Sequence, residues 1–385
     1  MRIEQKFTVK KLFADDRGFI LIAALTLLTV LTLLGTTAYI LSSTDIKIGG
    51  NFRNTQSALQ VAMAGAERSR AVLNSHLFPS SGTVVSLSAE LAARKGANNV
   101  LNGYASGTDD IALASGILNG SNYVAYLTND TLDSNGQYST TDSNSRALIT
   151  SVATGISPNN ASARVEMVVY SPAGLANSPA TIYSRGDVTG NGSSLIVSNT
   201  DSCGETSALP NAIYVRDPAI TDLNGSPTIT GGVAVPPRTA NIDIEGYINA
   251  LRGGATTTLT EDSHGGHVSY GDSTNYVTVY SNTSSPVNVQ GLSLRNVTGY
   301  GILMVQGDLD LGGGFQWNGI ILVTGSLTLN GGGGGLNIRG LVYSGTSTAT
   351  DVTINGGNNI GYDSCNVRNA LNEVGARVVN WRQVY

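Results

Sequence analysis

The segment RGFILIAALTLLTVLTLLGTTAYIL, Arg17 to Leu41, opens with one positive charge and one glycine, then carries no charged residue from Phe19 to Leu41. As a helix, this run reaches about 35 Å at roughly 1.5 Å per residue, enough to cross a hydrocarbon core of about 30 Å. A buried helix in a soluble domain is usually shorter and has a polar side. Three readings compete. A cleaved secretory signal would have a shorter apolar region, about 7–15 residues, with a small-residue exit site. The second is a single-pass anchor. The third, a retained stem, depends on what flanks the rod.

Ahead of the rod, residues 1–18 hold Arg2, Lys6, Lys10, Lys11 and Arg17 against Glu4, Asp15 and Asp16, a net positive leader. The positive-inside tendency keeps that end cytoplasmic and puts the larger C-terminal part outside. Behind the rod, Ser42 to Asn74 continues as an amphipathic helix. Phe52, Leu59, Ala62, Met63, Ala66 and Leu73 recur at helical spacing, apart from Asn54, Gln56, Gln60, Glu67 and Arg70. Gly49-Gly50 is the expected soft point, and Pro79 with its Ser/Gly neighbours ends the segment.

The chain of 385 residues has room for two or three domains. Charged residues make up only 13% and the net charge is −5, with no basic block after the rod. No nucleic-acid partner is expected, because such binding needs concentrated Lys and Arg. Short Val/Ile/Leu runs broken by Gly and Asn favour strands and tight turns over disorder.

Residues 76–180 read as α+β. SLSAELAARKG suggests a short helix, and NYVAYLT (122–128), RALITSVATG (146–155) and SARVEMVVYS (162–171) suggest strands. The last places Val165, Met167 and Val169 on one face, against Glu166, Val168 and Tyr170, as fits a strand lying over a helix.

From about 181 the texture changes. GILMVQGDLDL (301–311) is echoed by GIILVTGSLTL (319–329) and again by IRGLVYSGTSTATDVTI (338–354). Each unit is an apolar run, a glycine corner and a shorter alternating strand, and the glycine runs 312–314 and 331–335 suit sharp corners. A right-handed parallel β-helix or small β-solenoid is expected, with a β-sandwich as the alternative. GARVVNWRQVY reads as a closing strand with Trp381 packed in. The division is thus a leader (1–18), a membrane and amphipathic helix (19–75), an α+β unit (76–180) and a mainly-β repeat domain (181–385).

Both cysteines, Cys203 and Cys365, close the triplet Asp-Ser-Cys. Outside the cytoplasm a disulfide between them is permitted; two separate buried thiols are the alternative.

The junction Arg17-Gly18-Phe19, followed by an uncharged helix that runs into an amphipathic one, resembles a class III (prepilin) signal. More narrowly, the N-terminal region resembles PilX-type minor pilins. The matching features are the basic glycine junction, the Leu-rich helix, the step Gly50-Asn51-Phe52-Arg53-Asn54 and an Ala-rich helix with Glu67. The ending VVNWRQVY is similar to the family's close. The resemblance covers roughly residues 12–75, and 120–172 loosely; the repeat region is extra to the small pilin fold. It implies an α+β frame of one long helix packed on a small antiparallel sheet. It also implies cleavage after Gly18 by a prepilin peptidase and N-methylation of Phe19. Before assembly the chain would span the inner membrane once, then enter a pilus. The implied partners are other minor and major pilins, the inner-membrane assembly platform, and a tip adhesin or surface glycan.

One departure matters. The family usually has Glu at the fifth mature position, where this chain has Ala23, and its first acidic residue after the junction is Asp45. A subunit without that carboxylate cannot neutralise a neighbour's amine in a low-dielectric core. This suggests a place at or near the tip, in a priming complex.

Other residues suggest less. Asp262, His264 and His267 lack the further ligands a metal site needs. Asp130, Asp133 and Asn135 before Gly136 lack the spacing and closing Glu of a Ca²⁺ loop. No Gly-x-Ser-x-Gly elbow accompanies the three histidines. No cofactor or metal is expected. The tyrosine pairs Tyr276/Tyr280 and Tyr300/Tyr343 suit a sugar-binding face or ordinary strand positions with one wet edge. The alternative function is a membrane-anchored β-helix enzyme or binding protein acting on polysaccharide. Such an enzyme needs clustered charges, whereas Asp308, Asp310, Arg339 and Asp351 are scattered. A non-enzymatic assembly or adhesion role is therefore expected.

Overall fold

The computed structural model describes residues 16–104, 109–154, 161–192, 194–260, 263–264, 266–282, 291–345 and 352–384. A long N-terminal helix is followed by a small antiparallel sheet and a large, mainly-β domain built on a curled parallel sheet; the class is α+β.

Helix α1 (Asp16–Leu77) is unbroken. Gly49 and Gly50 lie inside it, so the expected soft point is not a break. Its first half stands clear of the rest of the protein, with Phe19 65% and Leu33 69% exposed. From Ala58 onward one stripe is buried: Ala58, Val61, Ala62, Ala66, Ser69, Leu73 and Leu77. That spacing of three and four residues is the core face of a helix. Phe52 and Met63, expected on this face, are exposed instead. The contact at Gly65 is close: a Cβ there would lie 2.6 Å from Ser151 Oγ and 2.7 Å from the Tyr123 ring. Gly65 and its small neighbours Ala62 and Ala66 let the helix settle closely onto the sheet there, while Leu73 and Leu77 fill the stripe further on.

The sheet beneath comprises β1 (Ala114–Leu118), β2 (Ser121–Asn129), β3 (Arg146–Thr154), β4 (Ser162–Tyr170) and the closing strand Arg377–Val384, in that order and all antiparallel. Val165, Met167 and Val169 of β4 join the core with α1. Helix α2 (Leu87–Ala93) is started by Ser86, whose Oγ accepts the Ala89 N–H at 3.2 Å. The closing strand corrects the division at 180: it pairs with β4 and does not cap the repeat domain. The repeat domain is thus inserted between the last two strands of the small sheet. Trp381 is 53% exposed on this edge strand, not packed in.

The large domain is a parallel β-helix-like stack, not a sandwich. Among the described residues, its strands form coils that pair in three ladders. In the first ladder Thr257, Val279, Leu303, Ile321, Val342, Ile182 and Ile213 lie side by side. The second aligns Leu292, Leu309, Leu327, Val352 and Val188; the third aligns Gly299, Trp317, Ile338, Ile360 and Val197. The stacking order is therefore not the chain order. The chain makes coils 180–198 and 211–230, crosses through helix α3 (Ile244–Leu251), restarts at 257 and winds back until 340–361 docks on its own first coil. Asn330, Asn355, Asn191 and Asn224 remain in register across that seam.

One corner shows why glycine recurs. Gly301, Gly319 and Gly340 are aligned, with φ of 130°, 138° and 150°. A Cβ on Gly319 would run into the Gly301 carbonyl, and one on Gly340 into that of Gly319. The coil interior is apolar, with Phe315 stacked on Trp317 at 6.1 Å and Trp317 Nε1 donating to Gly301 O at 3.1 Å. The first ladder's outer face is apolar too: Ile302, Met304, Ile320, Leu322, Leu341 and Tyr343 are buried. They share one continuous core with α1, α3 and helix α4 (Ser364–Val374). The coils are thereby fixed to the helix and small sheet over a broad apolar face.

Candidate functional site

The exposed half of α1 is long and apolar enough to cross a membrane, and none of its apolar window is buried within the protein. Gly18 lies within this helix. Ala23 is in its second turn, and Phe19 is exposed. The threonine hydroxyls along it are satisfied by the helix itself: Thr26 donates to Ile22 O at 3.0 Å, Thr29 to Leu25 O at 3.0 Å and Thr37 to Leu33 O at 2.8 Å. Such bonding allows an apolar environment on all sides without stranded donors.

Cys203 and Cys365 form a disulfide, Cα–Cα 5.9 Å apart. It ties the loop leaving coil 180–198 to the first turn of α4, which directly follows coil 340–361. Asp363 caps α4, its Oδ1 accepting the Asn366 N–H at 2.9 Å. Its carboxylate lies near both sulfurs, but a disulfide offers no thiolate to a metal. Burial opposes ionisation of Asp201, yet donors from Ser364, Thr206 and Cys203 outweigh it and hold the carboxyl below its usual range.

Asp262 lies outside the described residues. His264 is on a short strand beside Leu294, and His267 is exposed with φ of 64°. Asp133 organises a turn: Oδ1 accepts from Asn135 N at 2.7 Å, and Oδ2 from Ser143 N at 2.7 Å and Ser143 Oγ at 2.9 Å. With Asp133 so engaged, Asp130, Asn135 and Gly136 belong to a hydrogen-bonded turn. The tyrosine pairs form no sugar-binding face. Tyr343 is fully buried and donates to Leu175 O; Tyr276 is buried and donates to Asn366 Oδ1 at 2.6 Å.

One recess was not foreseen from sequence. A cleft of about 870 Å³ opens between the outer face of the small sheet and α3. Its floor follows from register: Arg146 on β3 and Arg377 on the closing strand both pair with Tyr170 on β4, from opposite sides. Side chains paired this way share a face. Tyr247 of α3 meets Tyr170 edge-on at 6.1 Å, and burial raises both hydroxyl pKa values. Arg377 Nη2 donates to Gly254 O at 3.2 Å, and a Cβ on Gly254 would occupy the place of its guanidinium. Burial pulls the Arg377 pKa below its ordinary value. Neither Arg146 nor Arg377 forms a salt bridge with a described residue. A neighbouring hollow of about 260 Å³, lined by Leu132, Val168 and Trp381, shares Arg146 with the cleft.

Compared with known proteins, the chain matches no family model, no curated protein and no solved structure.

Proposed function

We propose that this chain is a minor filament subunit of the prepilin type, held in the inner membrane by α1 and then assembled at or near a pilus tip. The observation that carries the reading is the two-part helix. Its first half presents apolar side chains all round and touches nothing else in the protein, while its second half is locked onto an antiparallel sheet. A simple anchor needs only the first half. A stem that passes from lipid to a bundle of sister stems needs rigid continuity into the head, and α1 has it through Gly49 and Gly50. Ala23 in place of an acidic residue supports a terminal position, because this stem offers no carboxylate to a neighbour's amine.

On this reading cleavage after Gly18 leaves Phe19 as a methylated N-terminus, and the inserted β-helix-like domain is the part carried outward. Mass spectrometry of the mature chain tests it. A chain beginning at N-methylated Phe19 and recovered with sheared filaments is expected; an intact Met1 in a chain confined to the inner-membrane fraction refutes the proposal.

A further inference from the structure

We propose that the outer face of the small sheet binds a carboxylate-bearing saccharide, with Arg146 and Arg377 receiving carboxylates. The site lies beyond the filament reading and does not depend on it.

The two guanidinium groups are placed by sheet register. Two strand spacings of about 4.8 Å set their Cα atoms roughly 10 Å apart, with Tyr170 between them. They are cationic and half-buried, and neither forms a salt bridge with a described residue. Arg377 Nε is buried without an acceptor. Desolvating a cation without a counter-charge is costly, and a bound carboxylate relieves that cost while matching the planar fork of arginine. Glu373 attracts Arg377 without forming an ion pair, Asp142 accepts from the Asn144 and Arg146 N–H groups, both at 3.3 Å, and Asp130 accepts from Asn144 Nδ2 at 3.3 Å. Asp243 caps α3 through Gly246 N at 2.9 Å, and Glu166 is held by Arg164 and by Arg382 at 2.7 Å. Gly254 provides the space in which the Arg377 guanidinium sits.

The remaining lining separates a saccharide from an acidic peptide. Asn241 and Asn249 present amides and Ser145 a hydroxyl, which pair with sugar hydroxyls, while Ser143 and Asn144 are engaged with Asp133 and Asp130. Arg146 borders both recesses, and Leu132 and Val168 line the adjoining hollow. An extended ligand can therefore touch both arginines and these apolar side chains. Apolar side chains next to a polar, amide-lined cleft suit a ring with one apolar side and a polar rim.

The test uses the full-length chain in detergent micelles. Galacturonate, mannuronate, glucuronate and sialate oligosaccharides are titrated beside their methyl esters and a hexaglutamate peptide. At least one free acid is expected to bind ten-fold or more tightly than its ester, and more weakly as salt rises. Arg146→Gln and Arg377→Gln should each weaken it about ten-fold or more. Gly254→Val should act like Arg377→Gln by displacing the guanidinium. The acid-ester comparison needs no variant, so a misfolded mutant leaves the test intact. The proposal is overturned if no carboxylated oligosaccharide binds, if ester and acid bind alike, if hexaglutamate binds as well, or if folded arginine variants bind unchanged. A chain that binds but keeps Met1 refutes the filament reading alone; a methylated chain that binds none refutes this one alone.

Discussion

Ser364 donates its hydroxyl to Asp201 Oδ2 at 2.7 Å, and the exchange is reciprocated: Ser202 Oγ lies 2.7 Å from Asp363 Oδ2. Each Asp-Ser-Cys triplet thus holds the other's carboxylate, with the Cys203–Cys365 disulfide between them. This knot lies where the stack needs it. Coil 180–198 and coil 340–361 meet by strand pairing between distant parts of the chain, and the triplets lie just beyond the end of each. Coil docking, helix capping and the covalent link are concentrated at one seam.

Removing the link should loosen that seam. The disulfide spans 162 positions. Chain entropy alone assigns such a loop about 5 kcal/mol, and typical measured values are about 2–4 kcal/mol. Cys203→Ser, or reduction of the unmodified chain, is expected to lower the urea midpoint of the β-rich domain by a matching amount. The helical signal of α1 in micelles should change little. Equal midpoints with and without reductant would show that the knot's hydrogen bonds suffice.

The same knot predicts a pH dependence. The Asp201 carboxyl is held below its ordinary value of 3.8 in the folded chain. Its stabilisation is therefore fully present above the unfolded value and is lost as pH falls from about 4 through the folded pKa. Asp201→Asn should flatten the stability profile below pH 4, and should leave the domain weaker at neutral pH because the donors of Ser364 lose a charged acceptor. Denaturant midpoints at pH 7, 4 and 3 check both.

The corner glycines allow a controlled comparison. Gly319 has φ of 138° and its missing Cβ would strike the Gly301 carbonyl, whereas a Cβ on Gly332 meets nothing within 4 Å. Gly319→Ala should cost about 1–3 kcal/mol or more from backbone strain alone, with the collision added. Gly332→Ala should be neutral, or gain a few tenths up to about 1 kcal/mol by restricting the unfolded chain. Thermal unfolding of the pair tests whether the corner ladder, not glycine content, sets stability.

How much of this was legible in sequence follows from range. Gly301, Gly319 and Gly340 repeat at the head of successive coils, so that part of the stack announced itself locally. Val277 stands where the next coil has Gly301, and the strand Ala180–Ser184 owes its place to a pairing partner far along the chain, Val342. The seam between Val342 and Ile182 has no local signature, and β-sheet pairing at long separation rarely has one. The long helix and three strands of the small sheet could be read from periodicity. Of the helix's predicted stripe, Ala62, Ala66 and Leu73 are buried, whereas Phe52, which precedes the buried stretch, and Met63 are exposed. The arginine cleft was invisible for the same reason as the seam. Arg146 and Arg377 become neighbours only because the closing strand returns to β4 across the whole inserted domain.

Ala23 offers the sharpest test of the proposed tip position. If the stem sits last in a helical stack, nothing lies beyond it that requires its carboxylate, and alanine there is tolerated. Ala23→Glu places an ionisable group on the exposed, apolar half of α1. In the membrane alone, that group costs on the order of 2–3 kcal/mol at the centre of a helix and less near an interface. Inside a fibre it could instead meet the amine of another subunit, which recovers much of the cost. The substitution is therefore expected to move the protein from the filament end into the shaft, raising its share in sheared fibres relative to the other components. Quantitative mass spectrometry of sheared filaments, normalised to the membrane pool, reads this directly. An unchanged share with normal membrane levels would mean that position 23 does not govern where this subunit sits.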